Sequence, residues 1–326
     1  MGNRNKYDVV VVGGANTDFV VKGPNLPRPG ETVDGQTFLQ AFGGKGANQA
    51  VACARLGARV AFVGCLGDDE RGAETIRNFR HEGIDVSHIR RERRAATGVA
   101  LVMVDADGEK QILTAPGANQ CVTAGDIQRA APLLRSTRVL LVQYEVPQAA
   151  VIKAAQIARK AGALVVVDPA PARPTPKRLL RLIDIVRPNS AEAKALTGLD
   201  IRDRNTARRA AAKLFSAGVK VVAVQIGDAG DLVLWPAGRA SPRAAQEHFL
   251  PRLKVKTVDA TGAGDAFAAG LAVALAEGRN YREAGILANA AAALTTTKLG
   301  AQPALPNREA VARFLRLSSD HSRPFA

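Results

Sequence analysis

A chain of 326 residues, 47% of them apolar, can bury one large core or two ordinary ones. The formal net charge of +15 would suit nucleic acid or an acidic membrane. However, the basic residues are spread along the chain, and the densest group, 90–94, contains a glutamate and has no aromatic neighbour on which a base could stack. We interpret that group as a solvated loop and expect no nucleic-acid partner.

The sequence contains neither a recognisable signal peptide nor a membrane span, because the early valine run 9–12 is too short for either. The three cysteines, Cys53, Cys65 and Cys121, form no C-x-x-C pair. This spacing is typical of buried thiols in a reducing compartment rather than of zinc ligands or disulfides. We therefore expect a soluble, cytoplasmic protein with no membrane partner.

The first predicted strand is the run 7–12, whose continuous β-branched residues are typical of a strand buried on both faces. Asn16 and Asp18 follow its carboxyl end, where open α/β sheets bind ligands. Short strands without an intervening helix are predicted within about 17–42, including 31–42. A hairpin is predicted within about 95–117, around the turn Asp107-Gly108. Together these strands predict a small antiparallel flap, or lid.

A glycine-rich stretch, Gly43-Gly44-Lys45-Gly46-Ala47-Asn48-Gln49-Ala50, predicts the start of a helix that runs to about Leu56. It is not a Walker A loop, because Gly46 stands where that loop needs Ser or Thr after its lysine. Gly44, Lys45 and Asn48 could instead bring backbone amides and polar side chains to a polyhydroxy ligand. An ordinary helix N-terminus explains the pattern about as well.

Helices and strands then alternate from about 124 to 224, which predicts a parallel sheet with helices on both faces. Polar residues follow the predicted strand ends: Gln143, Glu145, Asp168, Asn189, Glu192, Gly227 and Asp228. Their repetition along one edge of the sheet predicts a shared cleft.

The stretch 259–265 is predicted to be a glycine-rich turn between a strand, 255–258, and a helix. Such a turn is an anion site, because the first N–H groups of a helix have no partner within it. Asp265 would repel a phosphate, unless it takes a proton from a nucleophile attacking that phosphate. From this stretch alone a structural helix cap stays open. A dinucleotide turn is disfavoured, because Phe267 replaces the last glycine of G-x-G-x-x-G.

The segments 43–50 and 259–265, in this order and separation, resemble the two signatures of the ribokinase-like (PfkB) carbohydrate kinases. Shorter segments resemble those of the ribokinases within that family: 16–18, 116–119, 168–172, 188–192 and 300–303. The resemblance covers nearly the whole chain. It implies a single kinase domain over 1–326, with a doubly wound, mostly parallel α/β sheet and a β flap.

The resemblance implies transfer of the γ-phosphoryl group of ATP to O5 of ribose. Asp265 would be the general base, and Gly262, Ala263 and Gly264 would form the anion hole. The residues implied to hold the sugar are Asn16, Asp18, Gly44, Lys45, Asn48, Glu145 and Asp265. Those implied to face the nucleotide are Asn189, Gln225, Gly227, Asp228, Gly230, Gly264 and Asn289. Gln225 and Asp228 depart from the threonine and serine common in that loop, which leaves the nucleotide preference open.

The resemblance also implies two cations and a partner. Mg²⁺ would enter with ATP, and Glu192 would organise it through water. A monovalent cation, K⁺, would be held beside the anion hole by Asp259, Thr261, Thr295, Lys298 and Gly300. Ala304 replaces a serine that many ribokinases have there, so the degree of K⁺ dependence stays open. A homodimer through the flap is expected.

Two other functions stay open. A different sugar or nucleoside kinase of the same family would act on 2-deoxyribose, fructose or adenosine. A nucleoside base needs aromatic stacking, and the flap offers only Phe19, Phe38 and Phe42, which we predict to be core residues. The alternative from another class is a basic nucleic-acid-binding protein on a kinase-like fold.

Overall fold

The computed structural model describes residues 6–237 and 245–320, which fold as strands and helices in near-regular alternation. The strands are β1 (Tyr7–Val12), β2 (Asn16–Lys22), β3 (Thr37–Gly43), β4 (Val60–Gly67), β5 (Asp85–Glu92), β6 (Gly98–Val104), β7 (Lys110–Ala115), β8 (Thr137–Val142), β9 (Leu164–Val167), β10 (Ile185–Val186), β11 (Val221–Ile226), β12 (Gly230–Pro236) and β13 (Ala245–Pro251). The helices are α1 (Lys45–Arg55), α2 (Glu70–His81), α3 (Ala124–Arg129), α4 (Ala131–Arg135), α5 (Gln148–Lys160), α6 (Lys177–Leu180), α7 (Ser190–Thr197), α8 (Arg204–Ser216), α9 (Ala263–Ala276), α10 (Tyr281–Thr295), α11 (Ala301–Ala304) and α12 (Arg308–Asp320).

Within these described residues, the central sheet has nine strands in the order β13-β12-β11-β10-β9-β8-β1-β4-β5. The strands from β11 to β5 are all parallel, and β12 and β13 extend that sheet antiparallel at one edge. The chain leaves β1 towards β4 on one side and later returns to β8 on the other. The crevice outside the carboxyl ends of β1 and β8 is therefore the topological switch point, where open α/β sheets bind ligands.

Strand β1 shows why helices cover both faces of the sheet. Val9 and Val11 pack in one buried cluster with α1, α9 and α10, whereas Val10 and Val12 pack in another with α5 and α8. Because successive side chains of a strand point to opposite faces, an unbroken valine run needs two apolar layers. The predicted doubly wound, mostly parallel fold is confirmed.

The flap is a separate four-stranded sheet in the order β3-β2-β6-β7. Its two outer pairs, β2 with β3 and β6 with β7, are antiparallel, and the central pair, β2 with β6, is parallel. The predicted hairpin around Asp107-Gly108 is present as β6 and β7. Segment 31–36 is not a strand, so the first part of the flap contributes less sheet than predicted.

The pairing of the flap strands determines which side chains lie on the inner face of the flap and which lie on its outer face. Asp18 is paired with Ala100, and Ala100 with Thr114, so these three side chains share a face. That inner face lines a cavity over the central sheet. The neighbouring residues, Phe19 paired with Leu101 and Leu101 with Leu113, lie on the outer face.

The outer face is apolar and open to solvent. Leu113 is 69% exposed and Phe38 64% exposed, and Val21 and Leu101 are exposed as well. The rings of Phe19 and Phe38 stack on this face with their centroids 6.2 Å apart. The prediction that Phe38 is a core residue is therefore wrong, because the two-residue period of β3 turns it outward.

Other departures from the predicted elements have local causes. No strand forms over 255–258, which instead leads into the turn as irregular backbone. The predicted helix 124–134 divides at Ala130 into α3 and α4. The basic group 90–94 is not a loop throughout, since Arg90 to Glu92 belong to β5 and the Arg90 guanidinium pairs with Glu92 and Asp126.

The structure also bears on the predictions about the cysteines and about membrane-spanning helices. Cys53 and Cys65 are buried, Cys121 is half-buried and all three are free thiols. Over 6–237 and 245–320, no helix is both long and apolar enough to traverse a bilayer. The prediction of one domain over 1–326 includes 1–5, 238–244 and 321–326, which lie outside the described residues.

Candidate active site

Two cavities open along the carboxyl edge of the central sheet and meet at the start of α9. The first, of about 500 Å³, lies between the inner face of the flap and the sheet, and reaches Gly262 and Asp265. The second, of about 360 Å³, lies beside the turn between β11 and β12 and reaches Ala263 and Gly264. One helix N-terminus thus faces both cavities, as expected if a group passes from one to the other.

Asp265 is held by the first turns of α1. The Asn48 amide donates to its Oδ2 at 2.9 Å, the Gln49 amide donates to its Oδ1 at 3.1 Å, and the Lys45 ammonium lies 3.7 Å from Oδ1. These three residues are spaced i, i+3 and i+4, so they share one face of α1. The side chain of Asp265 is only 6% exposed, so its carboxylate depends on these partners for compensation.

A second buried carboxylate, Asp168 at the end of β9, joins the same network. The Gln49 Nε2 that contacts Asp265 also donates to Asp168 Oδ2 at 2.8 Å, and the Lys45 ammonium lies 3.6 Å from that oxygen. Gln143, at the end of β8, donates to the Gln49 carbonyl. The sequence pattern predicts Gln143 and Asp168 along the shared cleft but assigns them no binding role, and it does not predict Gln49 as a site residue. The i+4 spacing of Gln49 from Lys45 was the available signal.

The predicted sugar residues line the first cavity. Asn16, Asp18, Gly44, Lys45, Asn48, Glu145 and Asp265 are all brought together there. Glu145 accepts the backbone N–H of Lys45 at 2.8 Å. Gly44 has a φ of 85°, and a Cβ on it would lie 2.7 Å from backbone atoms of Ala15 and Asn16. A glycine is therefore required where α1 meets the end of β1.

Asn119 is a further member of this wall that sequence reasoning did not single out. It is buried, its Nδ2 donates to Asn16 Oδ1 at 2.8 Å, and its Oδ1 accepts the N–H of Ala15 at 3.0 Å. These bonds fix the orientation of the Asn16 side chain, which lines the cavity.

Two buried oxygens in the cavity wall, Asp18 Oδ1 and Asn48 Oδ1, have no hydrogen-bond partner among the described residues. Buried polar atoms are almost always paired, so each indicates a place for a ligand donor. Hydroxyl groups are donors of the right kind, because each can donate one hydrogen bond and accept others.

Burial raises the pKa of the carboxyl groups that line this cavity. It raises the pKa of Glu145 to about 7, partly opposed by the Lys45 ammonium, and that of Asp18 to about 6, with Asp265 adding to the shift. Burial also raises the pKa values of Asp168 and Glu192. Burial alone would lower the pKa of Lys45, but the surrounding carboxylates outweigh it and hold this pKa above its ordinary value.

The second cavity contains most of the predicted nucleotide residues. Gln225, Gly227, Asp228, Gly230, Gly264 and Asn289 line it. Asn289 is fixed by donating to the Pro251 carbonyl at 2.9 Å, and Asp228 pairs with Arg252. Gly230 has a φ of 131°, and a Cβ there would lie 2.1 Å from the Leu250 carbonyl oxygen, so the turn requires glycine.

The structure places Asn189 and Glu192 at the N-terminus of α7. Each carboxylate oxygen of Glu192 accepts one hydrogen bond from Asn189, and the Asn189 side chain caps the helix in return. Such oxygens keep a lone pair for a metal-bound water. The described residues contain no cluster of three or more His, Cys, Asp or Glu suited to a metal. Neither Asn189 nor Glu192 is among the residues that line the two cavities. A lone carboxylate of this kind is the donor expected for Mg²⁺ that arrives on phosphates and keeps most of its waters.

The predicted cation residues lie in two segments, 259–261 and 295–300, which meet at Asp259. Its carboxylate accepts the N–H groups of Thr261 and Gly300, each at 2.9 Å, and pairs with Lys110 of the flap strand β7. Burial alone would raise the pKa of Asp259, but these bonds outweigh it and hold the pKa below its ordinary value. Thr295 is buried against Gly262, whereas Lys298 is exposed.

Comparison with known proteins agrees with this geometry. The model of the pfkB family carbohydrate kinases matches residues 6–308. The chain belongs to this family of carbohydrate kinases. Mg²⁺ accompanies ATP as the general requirement of such enzymes.

Individual relatives cover the chain almost completely. It is 39% identical to a ribokinase of Haemophilus influenzae, over 94% of this chain and 98% of that protein. It is also 32% identical to a deoxyribokinase of Salmonella typhi, over 95% and 99%. The solved structure of Arabidopsis thaliana ribokinase complexed with ribose and ATP superposes with a TM-score of 0.84 at 33% identity, covering 95% of this chain and 99% of the other.

The raised pKa of Glu145 predicts a pH-dependent stability. The folded chain keeps this proton up to about pH 7, whereas an unfolded glutamate loses it near its ordinary pKa of 4.5. The folded state therefore binds more protons between these values, and the free energy of unfolding falls as pH rises through this window. Glu145→Gln should remove on the order of 2 kcal/mol of that fall. Urea unfolding of the sugar-free protein at pH 5.5, 6.5 and 7.5 measures it.

The matched control is Glu109→Gln, which alters an exposed glutamate of the flap. It should follow the wild-type pH dependence. If the free energy of unfolding depended on pH equally in the wild type and in Glu145→Gln, the raised pKa of Glu145 would be contradicted.

Proposed function

We propose that the chain transfers the γ-phosphoryl group of ATP to O5 of D-ribose. The observation that carries the proposal is the meeting of the two cavities at the N-terminus of α9, where Asp265 lines the first cavity and Ala263 and Gly264 line the second. The unpartnered oxygens of Asp18 and Asn48 support a polyhydroxy substrate in the first cavity. The ribokinase relatives, one of them solved with ribose and ATP, support ribose as that substrate.

The proposed reaction needs one base and a stabilised phosphoryl group. Asp265 accepts the proton of the 5-hydroxyl as O5 bonds to the γ-phosphorus, and the bond from that phosphorus to the β,γ-bridging oxygen breaks to release ADP. The N-terminus of α9 faces the developing negative charge, with the Gly264 N–H available and the Ala263 N–H donating weakly to the Ala260 carbonyl at 3.3 Å. Lys45 and Asn48 keep Asp265 oriented towards the sugar cavity. When bound, Mg²⁺ neutralises phosphate charge, and Glu192 would hold one of its waters.

The flap wall disfavours a nucleoside substrate. No aromatic residue is among those that line the sugar cavity in the described part of the chain. Phe19 and Phe38 lie on the outer face instead, so a base would have no ring on which to stack. 2-Deoxyribose is the second candidate, supported by the Salmonella typhi relative.

We also propose that a monovalent cation, K⁺, binds the loop region where segments 259–261 and 295–300 meet, at Asp259, Thr261, Thr295 and Gly300, with Lys298 contributing its backbone carbonyl. The side chain of Asp259 already ties Thr261 and Gly300 together, which supports a preformed ring of carbonyls. The loop adjoins Gly262, so a cation there would strengthen the positive field at the start of α9.

A homodimer through the outer face of the flap completes the proposal. The exposed side chains of Val21, Phe38, Leu101 and Leu113 support it, because contiguous apolar surface of this kind is typical of an interface. A second copy of the flap would cover that surface with an equally apolar one.

The substrate proposal predicts a ranking of turnover rates. ADP release is measured with ribose, 2-deoxyribose, fructose, adenosine and fructose 6-phosphate, each in K⁺ and in Na⁺. Ribose in K⁺ should give the largest kcat/KM, about tenfold or more above the others, because a missing hydroxyl leaves buried acceptors unpaired. Absence of turnover with every pentose would overturn the proposal, and equal rates in K⁺ and Na⁺ would overturn the cation site.

The base proposal predicts a catalytic defect without a binding defect. Asp265→Asn keeps the shape of the side chain but cannot accept the hydroxyl proton, so kcat should fall by about 10²- to 10⁴-fold. Isothermal titration calorimetry should show sugar affinity within a few fold of wild type. Near-normal turnover would remove Asp265 from the role of base. Retained, salt-dependent DNA binding at physiological salt in both proteins would favour the nucleic-acid alternative.

The dimer proposal predicts that charge on the outer face separates the subunits. Leu113→Glu should weaken the dimer by roughly 100-fold, because a buried unpaired charge costs several kcal/mol at an interface. Sedimentation velocity across a concentration series measures the shift. Ile286→Glu, which places the same charge on an exposed apolar site of α10, should leave it unchanged. A monomeric wild type would contradict the proposal.

A further inference from the structure

Arg187 is a buried cation at the nucleotide cavity that the proposed mechanism does not use. It follows β10 directly, where its backbone N–H donates to the Val167 carbonyl at 2.9 Å. The residue is only 8% exposed, yet it lines the second cavity. A guanidinium stays charged at every physiological pH, so its burial needs compensation by acceptors or anions.

The carboxylates of Asp168, Glu192 and Asp231 lie near enough to interact with this charge, but the described residues leave the guanidinium incompletely hydrogen-bonded. Asp231 Oδ1 lies 3.5 Å from Nη2, at the long limit of a hydrogen bond, and the guanidinium lies over the Phe267 ring with 4.9 Å between their centres. The Arg187 Nε has no hydrogen-bond partner within 6–237 and 245–320. A guanidinium has five N–H donors in a rigid fork, so this one keeps donors for a ligand.

The fork also reaches the start of α9. A Cβ placed on Gly264 would lie 3.0 Å from Arg187 Nη1, which sets the guanidinium against the backbone of the anion hole. Gly264 and Arg187 line the same cavity. An anion that accepts the N–H groups at the start of α9 would therefore lie within reach of Arg187.

The negative charge around the two cavities favours a buried cation such as Arg187 at their junction. On the sugar side, the carboxylates of Glu145, Asp168, Glu192 and Asp265 surround the ammonium of Lys45, and Asp18 adds a fifth carboxylate near Asp265. The Arg173 guanidinium is a second cation that lines this cavity. A triphosphate adds further negative charge at the junction. The N-terminus of α9 carries only about half a positive charge. Arg187 is a buried cation on the nucleotide side of that junction, whereas Arg252, which lines the same cavity, is exposed.

We propose that Arg187 is a catalytic residue that binds the γ-phosphoryl group of ATP and stabilises its charge during transfer. The planar fork matches two phosphate oxygens at once, and its contacts strengthen as negative charge moves onto the transferring group and the bridging oxygen. The inference rests on the proposed phosphoryl transfer, and extends it from the sugar and base to the nucleotide side.

The test separates γ-phosphate recognition from a structural role. Affinities for ADP and for the β,γ-imido analogue of ATP are measured with Mg²⁺ and without sugar, in wild type, Arg187→Met and Arg187→Lys. Arg187→Met should lose about tenfold or more in affinity for the analogue and less than threefold for ADP, and Arg187→Lys should recover part of the difference. In turnover, kcat of Arg187→Met should fall about 10²- to 10³-fold.

Arg252→Met is the matched control, because it removes the same charge from the same cavity beside Asp228. It should change the two affinities equally. Equal losses for ADP and the analogue in Arg187→Met, or a kcat within twofold of wild type, would overturn the proposal. If Arg187→Met does not fold, Arg187→Lys with unchanged discrimination between the nucleotides and unchanged kcat overturns it as well.

The binding measurements distinguish this inference from the proposed function. They need no sugar, so a wild type that phosphorylates no pentose but shows the predicted loss in Arg187→Met would overturn the ribose proposal and support Arg187. Ribose turnover that Arg187→Met leaves unchanged would support the ribose proposal and overturn the proposed role of Arg187.

Discussion

The site depends on the Lys45 ammonium and the Gln49 amide, which together fix the positions of two buried carboxylates. Lys45 lies within 4 Å of both Asp168 and Asp265, and the Gln49 amide donates to both. Without these partners the two carboxylates would repel each other in a poorly solvated pocket. Loss of Lys45 would therefore disturb the base and the sugar wall together.

The fold produces this arrangement from two simple periodicities. The unbroken valines of β1 need helices on both faces, which places α1 and α9 on the same side of the sheet with their N-termini at its carboxyl edge. The 3.6-residue period of α1 then gathers Lys45, Asn48 and Gln49 on the face that meets Asp265. The sheet order puts the crevice between β1 and β8, and Glu145 enters it from the end of β8.

The parts of the molecule that the sequence predicted well are those set by local pattern. The alternation of helices and strands, the hairpin of the flap and the glycine-rich start of α9 depend on residues close together in the chain. Gln143 and Asp168 were predicted only as polar residues of a shared cleft, and Arg187 was not predicted at all, because each acquires its role from partners far away in sequence. Strands β5, β12 and β13 were missed for a related reason. They lie at or next to an edge of the sheet, and pairing with their neighbours defines them.

The alternation of β2 side chains between the cavity and the outer face of the flap limits the insertions and deletions that this strand can tolerate. Asp18 faces the cavity and Phe19 faces outward, so adjacent residues of β2 serve opposite surfaces. Insertion or deletion of one residue between Gly14 and Asp18 would exchange the two sets, directing apolar side chains into the polar pocket and a carboxylate onto the apolar face. Point substitutions can alter either surface alone, whereas length changes in β2 disturb both at once.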